Sequence, residues 1–597
     1  MIDKMTRYSF ILLNGEETAF LEQLQEVGLV DITRSEKPMN EVTMGIAGEI
    51  ERIDGLIKGL EKVDIPEGTK PATYTGEGSD DLLRFANGTL MDYAEITGSL
   101  KELQQKVEKA RVWGSFDKAR LETLSAAGVP FHFHVLNAKQ FQEQWTEEYA
   151  LCLVDQEKNN LYFVVAGEDD LPGEVPVPTE DWQAVQATLD EQTAKLQRVL
   201  GELLTLKHQL PQLKQLRADA LSRLDLSLAG SSAAPAAENT LLTLEGYAPT
   251  EDDYTVTAAL DQAGVFYLKE AAAAPQNPPI RLKNNRFVQM FEVLTDMYGR
   301  PAYDGFDPTP FISVFFLLFF AFCMGDAGYG LVLIIIGLFL RKSSGFRNLS
   351  PLVVTLGIGT AVIGFLFHTF FSMDISGWKM FEGIRGIFLP GKIAGYDGTM
   401  VLSIITGVIH ICLAKIVKTW QETTRKGFLH SLGTWGWTLL IVGGICVGGF
   451  ALIGVLGATA TKWILIGLGG LSALGIFLFN DLERNKFANI GAGLWETYNT
   501  ATGLIGDILS YLRLYALGLA GGMLGLAFNN IGTMILGDGK NIVLWIPFIL
   551  IVLIGHTLNI AMAALGAFVH PLRLNFLEFF KNSGYEGIGR NYHPLNK

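Results

Sequence analysis

The second half of the chain carries apolar runs at about 310–341, 350–372, 400–419, 431–456, 462–480, 504–534 and 541–575. A hydrocarbon layer about 30 Å thick is crossed by about 20 apolar residues of helix, so each run from 350 onward is long enough for one crossing. Within that layer the backbone has no water to bond, and each spanning segment must close its own hydrogen bonds as a helix. Residues 301–597 are therefore expected to form an all-α polytopic membrane domain. The first run holds Gly325, Asp326, Gly328 and Gly330 at its middle, and reads either as one tilted helix or as a tight pair of short ones.

Loop charge arbitrates, because positively charged short loops stay on the cytoplasmic side. The basic loops are those with Arg341/Lys342/Arg347, Lys418/Arg425/Lys426 and Arg484/Lys486, and the tail carries Lys581, Arg590 and Lys597. These assignments agree with a cytoplasmic N-terminal region only if 310–341 crosses out and back. The expectation is about eight spans with both termini cytoplasmic, although Lys379, Arg385 and Lys392 in the 373–399 loop go mildly against it. Residues 487–503 are then left at the interface as an amphipathic helix or partial span. The N-terminal stretch MIDKMTRYSFILLNGEE has a short apolar run without a small-residue cleavage site, and is not expected to be a signal peptide.

Residues 1–300 read differently. Tyr8–Leu13, Glu16–Glu26 and Gly28–Thr33 follow a strand, helix, strand order, and 243–269 repeats it. Pro130–Leu136 and Tyr149–Ala166 read as strands, the latter as a hairpin turning at Asn159-Asn160. Helical patterns fill 40–64, 80–112 and 180–226. Leu189, Leu196, Leu203 and Leu210 recur every seventh residue with Leu200, Leu206 and Leu213 between them, as in a coiled-coil seam that Pro211 should kink. The fold class expected is an α+β arm, with α/β lobes at about 1–38 and 130–170/241–270 joined by coiled-coil helices at about 40–125 and 180–226. AGSSAAPAAEN at 229–239 reads as a linker.

Several function classes drop out. A net charge of −15 without a long basic run gives nucleic acid nothing to bind. Cys152, Cys323, Cys412 and Cys446 form no CxxC pair, and support neither a disulfide framework nor a thiolate metal site. GIFLPGKI at 386–393 matches a phosphate loop in part, but lacks the Ser or Thr that would hold magnesium and follows no buried strand. No cofactor is expected.

What remains is charge at membrane depth. An arginine at the centre of a spanning helix costs about 2.5–3.5 kcal/mol, and such residues normally face protein or a water-filled cavity on an ion path. Arg513 sits in GDILSYLRLYALGLAGG, 506–522, inside an apolar run. The densest set of such residues lies in the last two runs, with Asp507, Arg513, His556, His570, Arg573 and Glu578, while Asp326, His368 and His410 are scattered earlier. A lone buried histidine is more often a satisfied core residue, and Arg573 lies close enough to the end of its run to snorkel. The last two runs are antiparallel neighbours, so Arg513 and Arg573 fall toward the same, cytoplasmic half. His570 and Arg573 share a helical face, whereas Asp507 and Arg513, six apart, do not.

GYAP (246–249), PPIRLKNNRFVQMFEVLTDMYGRPAYDGFDPTPF (278–311), MGDAGYG (324–330), SYLRLYALGLA (510–520) and HPLRLNFLEFF (570–580) together resemble the large membrane subunit of V-type and A-type rotary ATPases, subunit a or subunit I. The likeness covers nearly the whole chain. It implies a cytoplasmic stator arm bound by peripheral-stalk E/G heterodimers, a central-stalk d/C-type neighbour, and eight membrane helices whose last two face the c (K) ring. It implies that the chain is itself non-catalytic and passes H+ or Na+ to and from ring carboxylates in the plasma membrane of a prokaryote. By motif, Arg513 matches the essential arginine and Arg573 the second one; Glu496 and Asp507 are the candidates for acidic half-channel residues. Pro571 and Gly305 depart from the family pattern. A self-contained secondary transporter would instead show an inverted repeat, which is not seen here, and a membrane-anchored scaffold would leave both arginines without a purpose.

Overall fold

The computed structural model describes the chain except residues 35–39, 75, 77, 177–181, 239, 343–344, 380–382, 384–385, 387, 390, 394, 480–485, 538–540 and 597. Arg385, Arg484, part of GIFLPGKI and the first residues of the 180–226 pattern thus lie outside the described residues, as does the Lys486 side chain. The chain forms two compact units. One holds Met1–Leu12, Leu29–Ile32 and Thr243–Pro594; the other holds Leu13–Gly28 and Thr33–Leu242 with the last residues of the chain.

In the second unit, Ser79–Arg111 packs along Trp182–His208, and Glu41–Lys62 along Leu210–Ser231. Asn40 starts Glu41–Lys62 with a capping box, its Oδ1 accepting from the Thr43 amide at 2.8 Å while Thr43 Oγ1 accepts from the Asn40 amide at 3.1 Å. Leu200, Leu203, Leu206 and Leu213 are the enclosed leucines of the expected seam, and Leu189, Leu196 and Leu210 lie at its margin. Pro211 acts more strongly than a kink. Trp182–His208 ends, and a new helix begins at Leu210 with the proline in its first turn, where no donor is missed.

A separate four-stranded sheet runs Ala150–Glu157, Asn160–Ala166, Phe131–Asn137, Glu174–Val175. Its hairpin turns at Lys158-Asn159, one residue before the expected position, with Lys158 at φ 54° and Glu157 paired to Asn160.

In the first unit, the two strand, helix, strand repeats merge. Their strands interleave in the order Asp31–Ile32, Leu241–Pro249, Met5–Leu13, Phe266–Ala271, so 241–270 joins the N-terminal sheet rather than the 130–170 lobe. The sequence showed each repeat but not that neither can cover its own sheet edge. Residues beyond the last helix return to this unit: Arg590–Asn591 forms a separate two-stranded parallel sheet with Pro279–Ile280, the Tyr592 hydroxyl donates to the Leu29 carbonyl, and the His593 amide donates to Asp31 at 2.9 Å.

Eight apolar helices follow among the described residues: α1 Thr309–Met324, α2 Ala327–Leu340, α3 Ser350–Leu366, α4 Gly398–Lys426, α5 Leu429–Leu452, α6 Ala458–Leu478, α7 Phe487–Leu536 and α8 Ile542–Ser583. The last five are each long and apolar enough to cross a membrane. α1 ends at Gly325, whose φ of 54° suits a residue without a Cβ, and Asp326 caps α2. Along α3, Thr355 meets Met290 below α1, Gly359 meets Leu317, and Gly364 meets Asp326 and Ala327. Against α2 the order runs the other way, Val354 at Gly337, Gly357 at Ile334, Gly364 at Ala327. α2 therefore runs opposite to α1, with α3 packed along both and almost no contact between the pair themselves. Residues 487–503 do not lie apart as an interfacial piece; they are the first part of the continuous helix α7. A core rich in phenylalanine, from Phe316, Phe319 and Phe320 to Phe579 and Phe580, joins α1, α4, α7 and α8.

Candidate functional site

α7 and α8 pack antiparallel because small residues on each admit a large one opposite. A Cβ on Gly555 would lie 2.3 Å from the Phe528 ring, and Gly532 faces Val552 and Phe548. Further along, the Asn559 Nδ2 donates to the Gly521 carbonyl at 2.8 Å, Gly566 faces Leu517, and Asn582 Nδ2 donates to Asp507 Oδ2 at 2.8 Å. This ladder sets Arg513 level with His570, and both Arg513 and Arg573 act electrostatically on His570.

At this level polar atoms are left over. Arg513 Nη1, His570 Nδ1 and Glu578 Oε2 are each buried without a hydrogen-bond partner among the described residues. Buried polar groups are nearly always bonded, so each such atom asks for an explanation. Arg573 is exposed. It sits where α8 changes form: Pro571 has no N–H to give, and Leu574–Phe579 immediately beyond Arg573 is π-helical. The backbone departs from regular α-helix directly after Arg573. Such single-turn widenings are frequent at functional positions. Glu578 lies inside this turn, buried, near the Ser510 hydroxyl of α7 and within electrostatic reach of Arg573.

One surface stripe runs along each helix. On α7, Leu509, Ala516, Ala520 and Met523 are exposed on the side of Arg513; on α8, Met562, Leu565 and Val569 lead to Arg573. Apart from the arginines both stripes are apolar.

Two further polar groups lie on either side of the arginine level. Toward the ends that hold Lys581 and Gly503, Asp507 accepts from Asn582 and pairs with Lys581 at 3.5 Å. Lys415 of α4 lies within electrostatic reach of both Asp507 and Glu496. Toward the other end, His556 Nδ1 is hydrogen-bonded to the Tyr329 hydroxyl at 2.8 Å and its Nε2 to Asn529 Oδ1 at 2.9 Å, while Asn559 Nδ2 donates to Tyr329 at 2.7 Å. Asp326 is buried and takes backbone N–H groups from Gly328, Tyr329, Phe371 and Ser372 at 2.5–3.1 Å. A cavity of about 340 Å³ adjoins this group, lined by Asp326, Tyr329, His368, Ser372, Asp374 and Asp397 and by Tyr515, Gly518 and Gly522 of α7.

The structure thus brings Arg513, His570, Arg573 and Glu578 together, sets Asp507 and then Glu496 further down α7, and holds His556 and Asp326 in a different cluster. Sequence reasoning passed over Tyr329, Lys415, Ser510, Asn529, Asn559 and Asn582. Three of these, Lys415, Asn529 and Asn559, lay in apolar runs as amides or an amine, a signal of the kind that singled out Arg513.

Residues 166–345 match the V-type ATPase 116kDa subunit family. The chain is 26% identical to the A-type ATP synthase subunit I of Methanocaldococcus jannaschii over 94% of its length and 83% of that relative's. It is 23% identical to the V-type ATP synthase subunit I of Borreliella burgdorferi over the whole of both. The chain is thus similar along nearly its whole length to subunits I of A-type and V-type ATP synthases. Among solved structures, a crystal structure of the cytoplasmic N-terminal domain of a subunit I, homolog of subunit a of V-ATPase, aligns with 45% of this chain and all of its own at 14% identity and a TM-score of 0.21. Asp326 and Tyr329 lie within the residues the family model matches, whereas Arg513, His556, His570, Arg573 and Glu578 lie beyond residue 345, where the similarity to the Borreliella burgdorferi subunit continues.

Proposed function

We propose that this chain is the stator and ion-channel subunit of the membrane sector of a V/A-type rotary ATPase. The observation that carries the reading is an arginine with a buried, partnerless nitrogen on an otherwise apolar exposed stripe, flanked by polar groups at two different depths. A ring carboxylate that has given up its ion is an anion in lipid, very unfavourable unless a cation stands opposite. Arg513 is that cation, permanently charged. It favours the ionised carboxylate, so the ring site unloads on one side of the arginine and reloads on the other. Its fixed charge also blocks a direct leak between two offset aqueous paths.

Glu496, Asp507 and Glu578, with Lys415 beside them, line the path from the cytoplasmic side. The cavity at His368, Asp374 and Asp397 belongs to the path from the opposite side, and the bonded group of Tyr329, His556 and Asp326 holds its wall in place. Arg573 and His570 hold the potential of the arginine level. α1 to α8 each cross the membrane, with both termini cytoplasmic in a prokaryotic plasma membrane. The stripes of α7 and α8 face the c (K) ring; the arm of 1–300 binds peripheral-stalk E/G heterodimers and neighbours the central-stalk d/C-type subunit. The chain has no catalytic centre of its own, and ATP chemistry resides in other subunits.

The test is Arg513→Ala in the assembled complex. ATP-driven ion uptake into vesicles should fall to background while assembly is retained. Persisting transport would refute the reading. Co-purification of residues 1–300 with the peripheral-stalk subunits tests the arm.

A further inference from the structure

Few side chains in the apolar stretch of α7 are enclosed by the rest of the bundle. Tyr511 is an exception, fully enclosed. Its ring rests on Gly407 of α4, where a Cβ would stand 2.2 Å from ring carbon Cγ. Its hydroxyl is hydrogen-bonded to His410 Nδ1 at 2.9 Å. That imidazole is itself fully buried, stacked on Phe579 of α8 with centroids 4.8 Å apart and planes 7° apart, and set against Phe315 of α1 at 4.2 Å. Phe319 of α1 closes on the Tyr511 ring at 5.7 Å. One side chain of α7 is thus keyed into α1 and α4, and through His410 against α8.

At 3.6 residues per turn, a side chain two positions on is rotated by about 200°. With Tyr511 locked inward, Arg513 is directed to the opposite side, onto the exposed stripe. Without such a lock, an arginine with a buried partnerless nitrogen has reason to turn toward the acidic groups of its own bundle, among them Glu578.

We propose that Tyr511, seated in the Gly407 notch and tied to His410, is the positioning residue that sets the roll of α7 and so aims Arg513 at the passing ring. This rests on the ring-facing function proposed above. The ring of Tyr511 supplies the wedge, Gly407 supplies the slot, and His410 fixes how deep the wedge sits.

The experiment places the photo-crosslinker p-benzoylphenylalanine at position 509 in the assembled complex, since Leu509 is exposed one turn before Arg513. In the otherwise unchanged chain, illumination should capture a ring subunit; failure to do so counts against the function proposed above and not against the lock. Tyr511→Ala and, separately, Gly407→Ala should lower that capture several-fold in intact complexes, with ion transport per ATP falling in parallel. Tyr511→Phe keeps the wedge and should restore most of the capture. If Tyr511→Ala does not assemble, Gly407→Ala, which removes no contact and only displaces the ring, decides alone. Ring capture unchanged in Gly407→Ala overturns the proposal, whatever happens to transport.

Discussion

The Arg513 level lies on α7 and α8, which also supply Asn529, His556 and Asn559 to the Tyr329–His556 group at the start of α2, and the two differ in how their polar atoms are bonded. In the first, His556 bonds through both ring nitrogens, Tyr329 accepts from Asn559 and is bonded to His556, and Asp326 receives four backbone amides. In the second, Arg513, His570 and Glu578 each keep a buried atom without a partner. A saturated network specifies a packing, while partnerless buried atoms beside an exposed stripe leave bonding capacity for a group from outside. The difference separates residues that build the bundle from residues that meet its substrate, although both are polar groups in apolar helices.

The strongest way to break that division is to exchange the expected outcomes. Arg513→Ala should abolish ATP-driven ion transport with little loss of assembly. His556→Phe should leave transport per assembled complex near its original level and act on stability instead. Ion uptake normalised to the amount of intact complex distinguishes them, and transport lost in both variants would erase the distinction.

Next in size is Asp326→Asn. The amide keeps one acceptor oxygen but points an N–H₂ toward amides that also donate, so one or more buried donors lose their partner, at about 1–3 kcal/mol. Thermal unfolding of the purified complex should move to lower temperature, and slower hydrogen exchange at Phe371 and Ser372 than in the parent would contradict the assignment. A smaller effect tests the His556 group itself. His556→Phe strands Asn529 and Tyr329 and should cost about 1–3 kcal/mol, whereas Tyr329→Phe added to it should cost clearly less than the sum, because removing both partners spares the desolvation penalty.

How far the sequence reached follows the same division. Arg513 was legible because the cost of a charge in hydrocarbon is a local property of one residue in one run. The reversal between α1 and α2 was legible as one of two options, since Gly325 and Asp326 break the helix, and loop charge favoured the return. The bonding of Asp326 was not legible: two of its four donors, at Phe371 and Ser372, lie more than forty residues away and are backbone groups that any sequence would supply. Nor was the interleaving of 5–13 with 241–271, because strand order depends on which edges remain uncovered, and each repeat looks complete alone. Tyr511 was invisible for another reason. A tyrosine in an apolar run is unremarkable until Gly407, over a hundred positions earlier, is seen to make room for its ring.

The smallest predicted effect lies outside the apolar helices, and asks whether saturation has the same meaning in the second unit. His132 Nδ1 is bonded to Glu174 Oε1 at 2.6 Å between Phe131–Asn137 and Glu174–Val175. The hydrogen bond to Glu174 raises the imidazole above its ordinary value, against a smaller opposing effect of burial. A raised value in the folded chain means the proton is bound more tightly folded than unfolded. The stabilisation is therefore full below the ordinary histidine value of about 6.5, and is lost as pH rises through the raised one. Both groups are partly exposed, so screening keeps the effect small. Hydrogen exchange at the Phe133 and Val175 amides should be more protected at low pH than the intrinsic rate change explains, and Glu174→Gln should flatten that dependence. Retained pH dependence in Glu174→Gln would show that the pairing is incidental and that a bonded polar pair at this edge does not specify the strand register.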